Sequence, residues 1–102
     1  MKYLFILVTI LTFSCMKKYK NFEPVIEGKD SLEYVDISKM PTGFMVRIMK
    51  VFDYYSVDYC IGNNNDLLIT KVFYQDKELI WNYTTKANDS IWYKTHIDNS
   101  SQ

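Results

Sequence analysis

The stretch FMVRIMKVFDYYSVDYCI, residues 44–61, has two competing interpretations, and the fold class depends on which of them holds. Alternate residues of a strand share a face, and this pattern fits residues 44–48 and again residues 55–61. The alternation changes phase near Lys50 and Val51, so a continuous strand needs a bulge there. The tyrosine and valine content favours one long bulged strand, or two strands.

A helix is the alternative for the same residues. Apolar side chains also recur at intervals of three and four, which is the spacing of one helix face. We favour strands, and a helix over about residues 45–59 remains the second interpretation. The apolar face of that helix would carry Met45, Ile48, Met49, Phe52, Tyr55 and Tyr59.

The chain that follows is also rich in residues that favour strands. Apolar runs at residues 67–74, 79–85 and 90–97 are separated by polar segments with Gly, Asn or Asp. Turn signals recur at roughly every 10 to 12 residues, which is typical of an antiparallel meander that forms a small sandwich or barrel. The sequence therefore predicts a mainly β domain over residues 33–97 and a polar tail over residues 98–102.

The beginning of the chain has the organisation of a secretory signal. Lys2 supplies a positive charge, and an apolar run from Tyr3 to Phe13 follows it. The run is shorter than the roughly 20 apolar residues that span a bilayer, so it predicts a signal peptide and not a transmembrane helix. A buried N-terminal strand or helix is an alternative.

The signal ends in a segment that resembles a lipobox, the processing motif of bacterial lipoproteins. Ser14 is the small residue that precedes Cys15, while Phe13 is bulkier than the strict pattern. The resemblance to short bacterial lipoproteins covers residues 1–18. It implies cleavage before Cys15 and attachment of lipid, such as palmitate, to that cysteine, which would anchor the chain to a membrane of the cell envelope. We expect the outer membrane, with the domain facing the periplasm. The alternative is an ordinary secretory signal in which Cys15 has no role.

These features divide the chain into segments. Residues 1–14 are the predicted signal peptide, and residues 15–32 are the predicted lipidated N-terminus and tether. No period of 2 or 3.6 residues persists in the tether, which contains Pro24 and Gly28. A first edge strand is the alternative there, formed by Phe22, Val25 and Ile26.

The second cysteine, Cys60, depends on the fate of the first. If Cys15 carries lipid, Cys60 has no intrachain partner and the domain is not a disulfide scaffold. Without lipidation, a disulfide between Cys15 and Cys60 becomes available in an oxidising compartment. An intermolecular disulfide is the third option.

Composition argues against several classes of function. Twelve Lys and Arg balance twelve Asp and Glu, without a basic stripe, so we expect no nucleic-acid partner. The three glycines are isolated, which argues against a phosphate-binding loop. His96 is the one histidine, and one His with one available Cys cannot build a typical zinc site. We expect no metal, no cofactor and no catalytic residues.

Aromatic side chains are the one enriched chemistry. Trp81 and Tyr83 share a face of one predicted strand, and Trp92 lies in the next. If they are exposed and adjacent, they form a ligand-facing platform for a glycan or an apolar ligand. The alternative is cross-strand packing in a small core, which needs large aromatic side chains.

The sequence thus predicts a lipid-anchored envelope protein that is not an enzyme and that binds a protein or glycan partner. An inhibitor or immunity protein that occludes a toxin or a lytic enzyme is the alternative. A small hydrolase is a weaker third, because no nucleophile–base pair can be recognised.

Overall fold

The stretch with two interpretations forms a helix over most of its length. In the computed structural model, which describes residues 19–98, helix α1 spans Phe44–Tyr54. Its N-cap, Gly43, has φ 82°, a left-handed conformation that glycine adopts without steric cost. The buried side chains recur at intervals of three and four, as one face of a helix requires. They are Phe44, Ile48, Val51 and Phe52.

The prediction of a mainly β domain is therefore wrong. Of the described residues, about 49% lie in helices and about 20% lie in strands, so the fold is mixed α/β. Residues 71–74, 79–85 and 90–97 were predicted as strands and are helical. β-branched and aromatic side chains favour strands only weakly, because they suit any half-buried surface. Packing against α1 overrides this strand preference.

Helices α2, α3 and α4 follow α1, and a short 3-10 turn at Ile37–Lys39 precedes it. Each of the three begins after a side chain that accepts a hydrogen bond from a free backbone N–H of its first turn, namely Thr70, Asp76 or Asp89. The bounds are Lys71–Tyr74 for α2, Lys77–Asn88 for α3 and Ser90–Tyr93 for α4, which continues into a π-helical turn at Lys94–Asp98.

The described strands form two antiparallel sheets. One has the order β1–β5–β4, and the other is the hairpin β2–β3. Strands β1 and β2 lie in the segment predicted as a tether, and Phe22 and Val25 of that segment are buried in the core. The bounds are Tyr19–Asn21 for β1, Val25–Glu27 for β2, Leu32–Tyr34 for β3, Tyr59–Ile61 for β4 and Leu67–Thr70 for β5.

The core lies where α1 packs against α3, with α3 also contacting β2 and β3. Arg47 of α1 joins these helices, because its Nε donates to the carbonyl oxygen of Ala87 at 2.9 Å. A cation near the last carbonyls of a helix also interacts favourably with the helix dipole. None of the helices in residues 19–98 is both long and apolar enough to cross a membrane.

Candidate binding surface

An aromatic cluster lies at the surface where the C-terminal end of α1 meets the end of α3. Tyr54 and Tyr55 are 45% and 36% exposed, which is a large fraction for side chains that contact other rings. We call the cluster the aromatic surface. Its members are Tyr54, Tyr55, Lys86, Trp92 and His96.

Four rings of this region are nearly parallel. The ring of Tyr55 stacks on that of Tyr83 at 4.9 Å, and the Trp92 ring lies 6.2 Å from Tyr55 at an interplanar angle of 13°. The imidazole of His96 stacks on Trp92 at 4.5 Å. Tyr54 is nearly perpendicular to Tyr55 and to Trp92, an edge-to-face arrangement that aromatic quadrupoles favour.

Lys86 places a positive charge on this cluster. Its Nζ lies 4.8 Å from the ring centroid of Tyr55 and 5.5 Å from that of Trp92. The same Nζ donates a hydrogen bond to the Tyr55 hydroxyl at 2.9 Å. The surface therefore combines apolar ring area with a fixed cation, and cation–π contacts of this kind are worth about 0.5–1 kcal/mol at exposed sites.

Local backbone structure holds these side chains in place. After α1, Ser56 adopts φ 58°, and the N–H of Val57 donates back to the carbonyl of Phe52 at 2.8 Å. The carboxylate of Asp89 accepts from the N–H groups of Ile91 and Trp92 at 3.1 Å, which fixes the start of α4. Both tyrosines and the tryptophan are therefore carried on capped helix ends.

The three aromatics singled out from the sequence lie in different environments. Trp92 belongs to the aromatic surface, whereas Tyr83 is only 8% exposed and packs beneath Tyr55. Trp81 is partly buried and packs against the core. Residues 81 and 83 would share a face of a strand, but on a helix they are about 200° apart. A ligand-facing role for these residues stays a prediction.

The sequence interpretation missed Tyr54, Tyr55 and Lys86. Helical spacing places Tyr55 on the apolar face, and its exposure follows from the end of α1 at Tyr54, which that spacing does not predict. No local signal connects Lys86 to those tyrosines, since the contact exists only when α1 packs against α3.

A second aromatic cluster lies where strand β3 meets helix α2. Tyr34 and Tyr74 stack with ring centroids 4.5 Å apart, and Lys20 and Lys77 each place Nζ within 5 Å of one ring. The Tyr34 hydroxyl donates to the carbonyl of Tyr74. These contacts connect β1, β3, α2 and α3, so we assign them a role in stability.

Tyr74 is the most strongly perturbed titrating group among the described residues. Its hydroxyl donates to Oε1 of Glu23, and this hydrogen bond, burial and the negative charge of Glu23 raise the pKa of Tyr74 to about 12. The hydroxyl therefore stays protonated at neutral pH and acts as a donor, not as a base.

A polar cleft of about 490 Å³ lies beside β1. Its lining includes Lys20, Glu23, Asp36 and Asp66, so it contains both a positively charged donor and negatively charged acceptors. Among residues 19–98, no group of three or more His, Cys, Asp and Glu side chains is arranged to hold a metal ion.

The two cysteines bear on the predicted lipid anchor. Cys15 lies outside the described residues, so its lipidation stays a prediction. Cys60 is on β4 opposite Leu68, is half-buried and is disulfide-bonded. Cys15 is the one other cysteine of the sequence, so lipid on Cys15 would leave Cys60 only a cysteine of another chain as its disulfide partner. The fate of Cys15 is therefore the first chemical question about this protein.

No protein-family model, curated protein or solved structure matches the chain. Its function is therefore inferred from its own residues. The segment that ends at Cys15 is the feature relevant to its location, and the aromatic surface is the feature relevant to binding.

Proposed function

We propose that this protein is a lipid-anchored component of the bacterial envelope whose α/β domain binds a partner through the aromatic surface and performs no catalysis. The lipobox-like segment that ends at Cys15 supports the location. The exposed rings of Tyr54 and Tyr55 beside Lys86 are the observation that supports binding.

The composition of the aromatic surface suits recognition. Tyrosine and tryptophan are enriched at the energetic centres of protein interfaces, because they bury large area and still present a polar group. The stacking of Tyr55 between Tyr83 and Trp92 orders these side chains before a partner arrives. Prior ordering lowers the entropic cost of association.

A folded protein is the partner class that we favour over a glycan. A sugar ring stacks on an open aromatic face, and the Trp92 ring already has the His96 imidazole parallel to it at 4.5 Å. The Tyr54 side chain is 45% exposed and combines ring area with a hydroxyl, which suits insertion into a pocket of a protein. This preference agrees with a role as an inhibitor or immunity protein that occludes a toxin or lytic enzyme.

Intact mass and membrane partitioning test the anchor. In a bacterium that processes lipoproteins, we expect the mass of residues 15–102 plus acyl groups and recovery in the membrane fraction. A Cys15→Ala variant should be released or left unprocessed, while Cys60→Ala should remain membrane-bound. A product without lipid and with a Cys15–Cys60 disulfide would contradict the anchor.

Crosslinking in intact cells tests the surface. Tyr54→Ala removes an exposed ring, and Ile61→Ala on β4 is a matched control because its side chain is 46% exposed. We expect the main crosslinked partner of the native protein to be lost by about tenfold or more in Tyr54→Ala, the effect of removing one interface hot spot. The proposal would be contradicted if both variants lost the crosslinked partner equally, or if both retained it.

A further inference from the structure

Two carboxylates of the polar cleft beside β1 belong to facing segments of the chain. The pairing of β1 with β5 continues one residue beyond Asn21, because the N–H of Phe22 donates to the carbonyl of Leu67 at 2.8 Å. Glu23 and Asp66 occupy the next facing positions in this register, and both line the cleft.

A third carboxylate faces Glu23 from the opposite side. The N–H of Val35 donates to the carbonyl of Pro24 at 2.9 Å, one position beyond the pairing of β2 with β3. Asp36 follows Val35 and therefore faces Glu23. Adjacent segments of a sheet are about 4.8 Å apart, so the three carboxylates span roughly 10 Å. We call Asp66, Glu23 and Asp36 the carboxylate row.

The negative charge of this row is not compensated by an ion pair with a lysine or arginine of residues 19–98. Oε1 of Glu23 accepts from the Tyr74 hydroxyl, and Oδ1 of Asp36 accepts from the N–H of Ser38 at 2.9 Å, so both donors are neutral. The hydrogen bond from Ser38 lowers the pKa of Asp36, which is therefore charged at neutral pH. Lys20 also lines the cleft, and its Nζ lies 4.5 Å from the ring centroid of Tyr74.

The arrangement is unfavourable without a bound cation, because like charges at facing positions destabilise a sheet. The carboxylates do not converge on a metal site, since no group of three or more such ligands among the described residues is placed to hold an ion. The cleft has a volume of about 490 Å³ and an apolar lining between its charged groups. The apolar residues are Phe22, Ile37, Met45 and Leu67.

We propose that the polar cleft binds a linear aliphatic polyamine. Ammonium groups separated by methylenes match carboxylates that are spread over roughly 10 Å, whereas one metal ion would contact only part of the row. The methylenes would pack on Ile37 and Met45, as the stem of a lysine side chain does on apolar surface. Three carboxylates and one lysine leave two negative charges for the ligand to neutralise. This site does not depend on the lipid anchor or on the aromatic surface.

Isothermal titration calorimetry of the full-length protein in detergent, at low ionic strength, tests the site. The probes are spermidine, which is a triamine, and butylamine, which has a single ammonium group. We expect spermidine to bind at least about tenfold more tightly, because it can contact several carboxylates at once. High salt should weaken its binding, because salt screens exposed charges. Tighter binding of magnesium chloride than of spermidine would overturn the proposal.

Variants that keep the shape of the side chain assign the binding to the carboxylate row. Asp66→Asn and Asp36→Asn each remove one charge, and asparagine is also a good cap for the 3-10 turn that follows residue 36. Glu27→Gln is the matched control, because Glu27 is exposed and does not line the cleft. We expect each Asn variant to bind spermidine about fivefold more weakly, and the control to bind as the native protein does.

Methyl resonances of the methionines locate the ligand. Met45 lines the cleft, whereas Met49, one turn further along α1, does not. We expect spermidine to shift the Met45 methyl resonance and to leave that of Met49 in place. Equal affinity for spermidine and butylamine, equal loss of binding in Glu27→Gln, or a shift of Met49 alone would overturn the proposal. Each of these results leaves the anchor and the aromatic surface to their own tests.

Discussion

Lys86 shows how one side chain holds the aromatic surface together. Its Nζ contacts the rings of Tyr55 and Trp92 and also donates to the Tyr55 hydroxyl. As a basic residue in the last turn of α3, it further interacts with the helix dipole. The residue therefore serves the helix and the surface at once.

Replacing Lys86 by methionine keeps the apolar stem and removes the charge. We expect Lys86→Met to lower the free energy of unfolding by about 1 kcal/mol, measured by urea denaturation, because a cation–π contact and a hydrogen bond are lost. Lys50→Met, an exposed position on α1, is the control and should change it by less than about 0.5 kcal/mol. Equal effects of the two substitutions would contradict the role given to Lys86.

At the scale of elements, the start of α4 depends on Asp89. This carboxylate accepts hydrogen bonds from two N–H groups that have no partner within the helix. The cap therefore satisfies two of the free N–H groups in the first turn of α4, Ser90–Tyr93. Because α4 carries Trp92, the cap also sets the position of that ring.

We expect Asp89→Ala to lower the free energy of unfolding by about 1 kcal/mol and to change the near-ultraviolet circular dichroism of the tryptophans. Asp89→Ser should preserve most of both quantities, because serine is also a good N-cap. If serine and alanine behave alike, the cap is not what positions Trp92.

The elements also show how far the sequence could predict this fold. The turn at residues 63–65, between β4 and β5, follows from local chemistry, because Asn65 adopts φ 62° and asparagine tolerates this conformation. Helix α3 was missed although Asp76 is a good N-cap, because the aromatic and β-branched content of residues 79–85 favoured a strand. A spacing of three and four was present there too, in Ile80, Tyr83, Thr84 and Ala87, which are the buried residues of α3.

The aromatic surface was harder to predict than the fold. Trp92 could be singled out by its type, but its neighbours Tyr54 and Tyr55 come from a helix almost forty residues earlier in the chain. Their contact depends on how α1 packs against α3 and on where α4 begins. Such packing is set by the whole core, which a single sequence does not reveal.

At the scale of the whole molecule, the raised pKa of Tyr74 predicts how stability depends on pH. The folded protein binds the phenolic proton more tightly than the unfolded chain, whose tyrosines titrate near pH 10. The contribution of Tyr74 is therefore complete below about pH 10 and is lost as the pH rises from about 10 to about 12.

Chemical denaturation across this range, with tyrosinate absorbance, measures the effect. We expect the stability advantage of the native protein over Tyr74→Phe to be constant below about pH 10 and to shrink above it. Glu23→Gln should also reduce the alkaline loss, because Glu23 is the main cause of the pKa shift. An advantage that does not change with pH would contradict this account.

The pairing of β1 with β5 has a consequence for the order in which the domain assembles. Tyr19 is paired with Thr70, and about half of the chain, residues 20–69, lies between them. Closing so long a loop has an entropic cost that only the completed contacts offset. A ribosome makes β1 first, but β1 has no neighbour until β5 has been synthesised. Among the described strands, the first to be made therefore stays an unpaired edge until about fifty more residues have been synthesised.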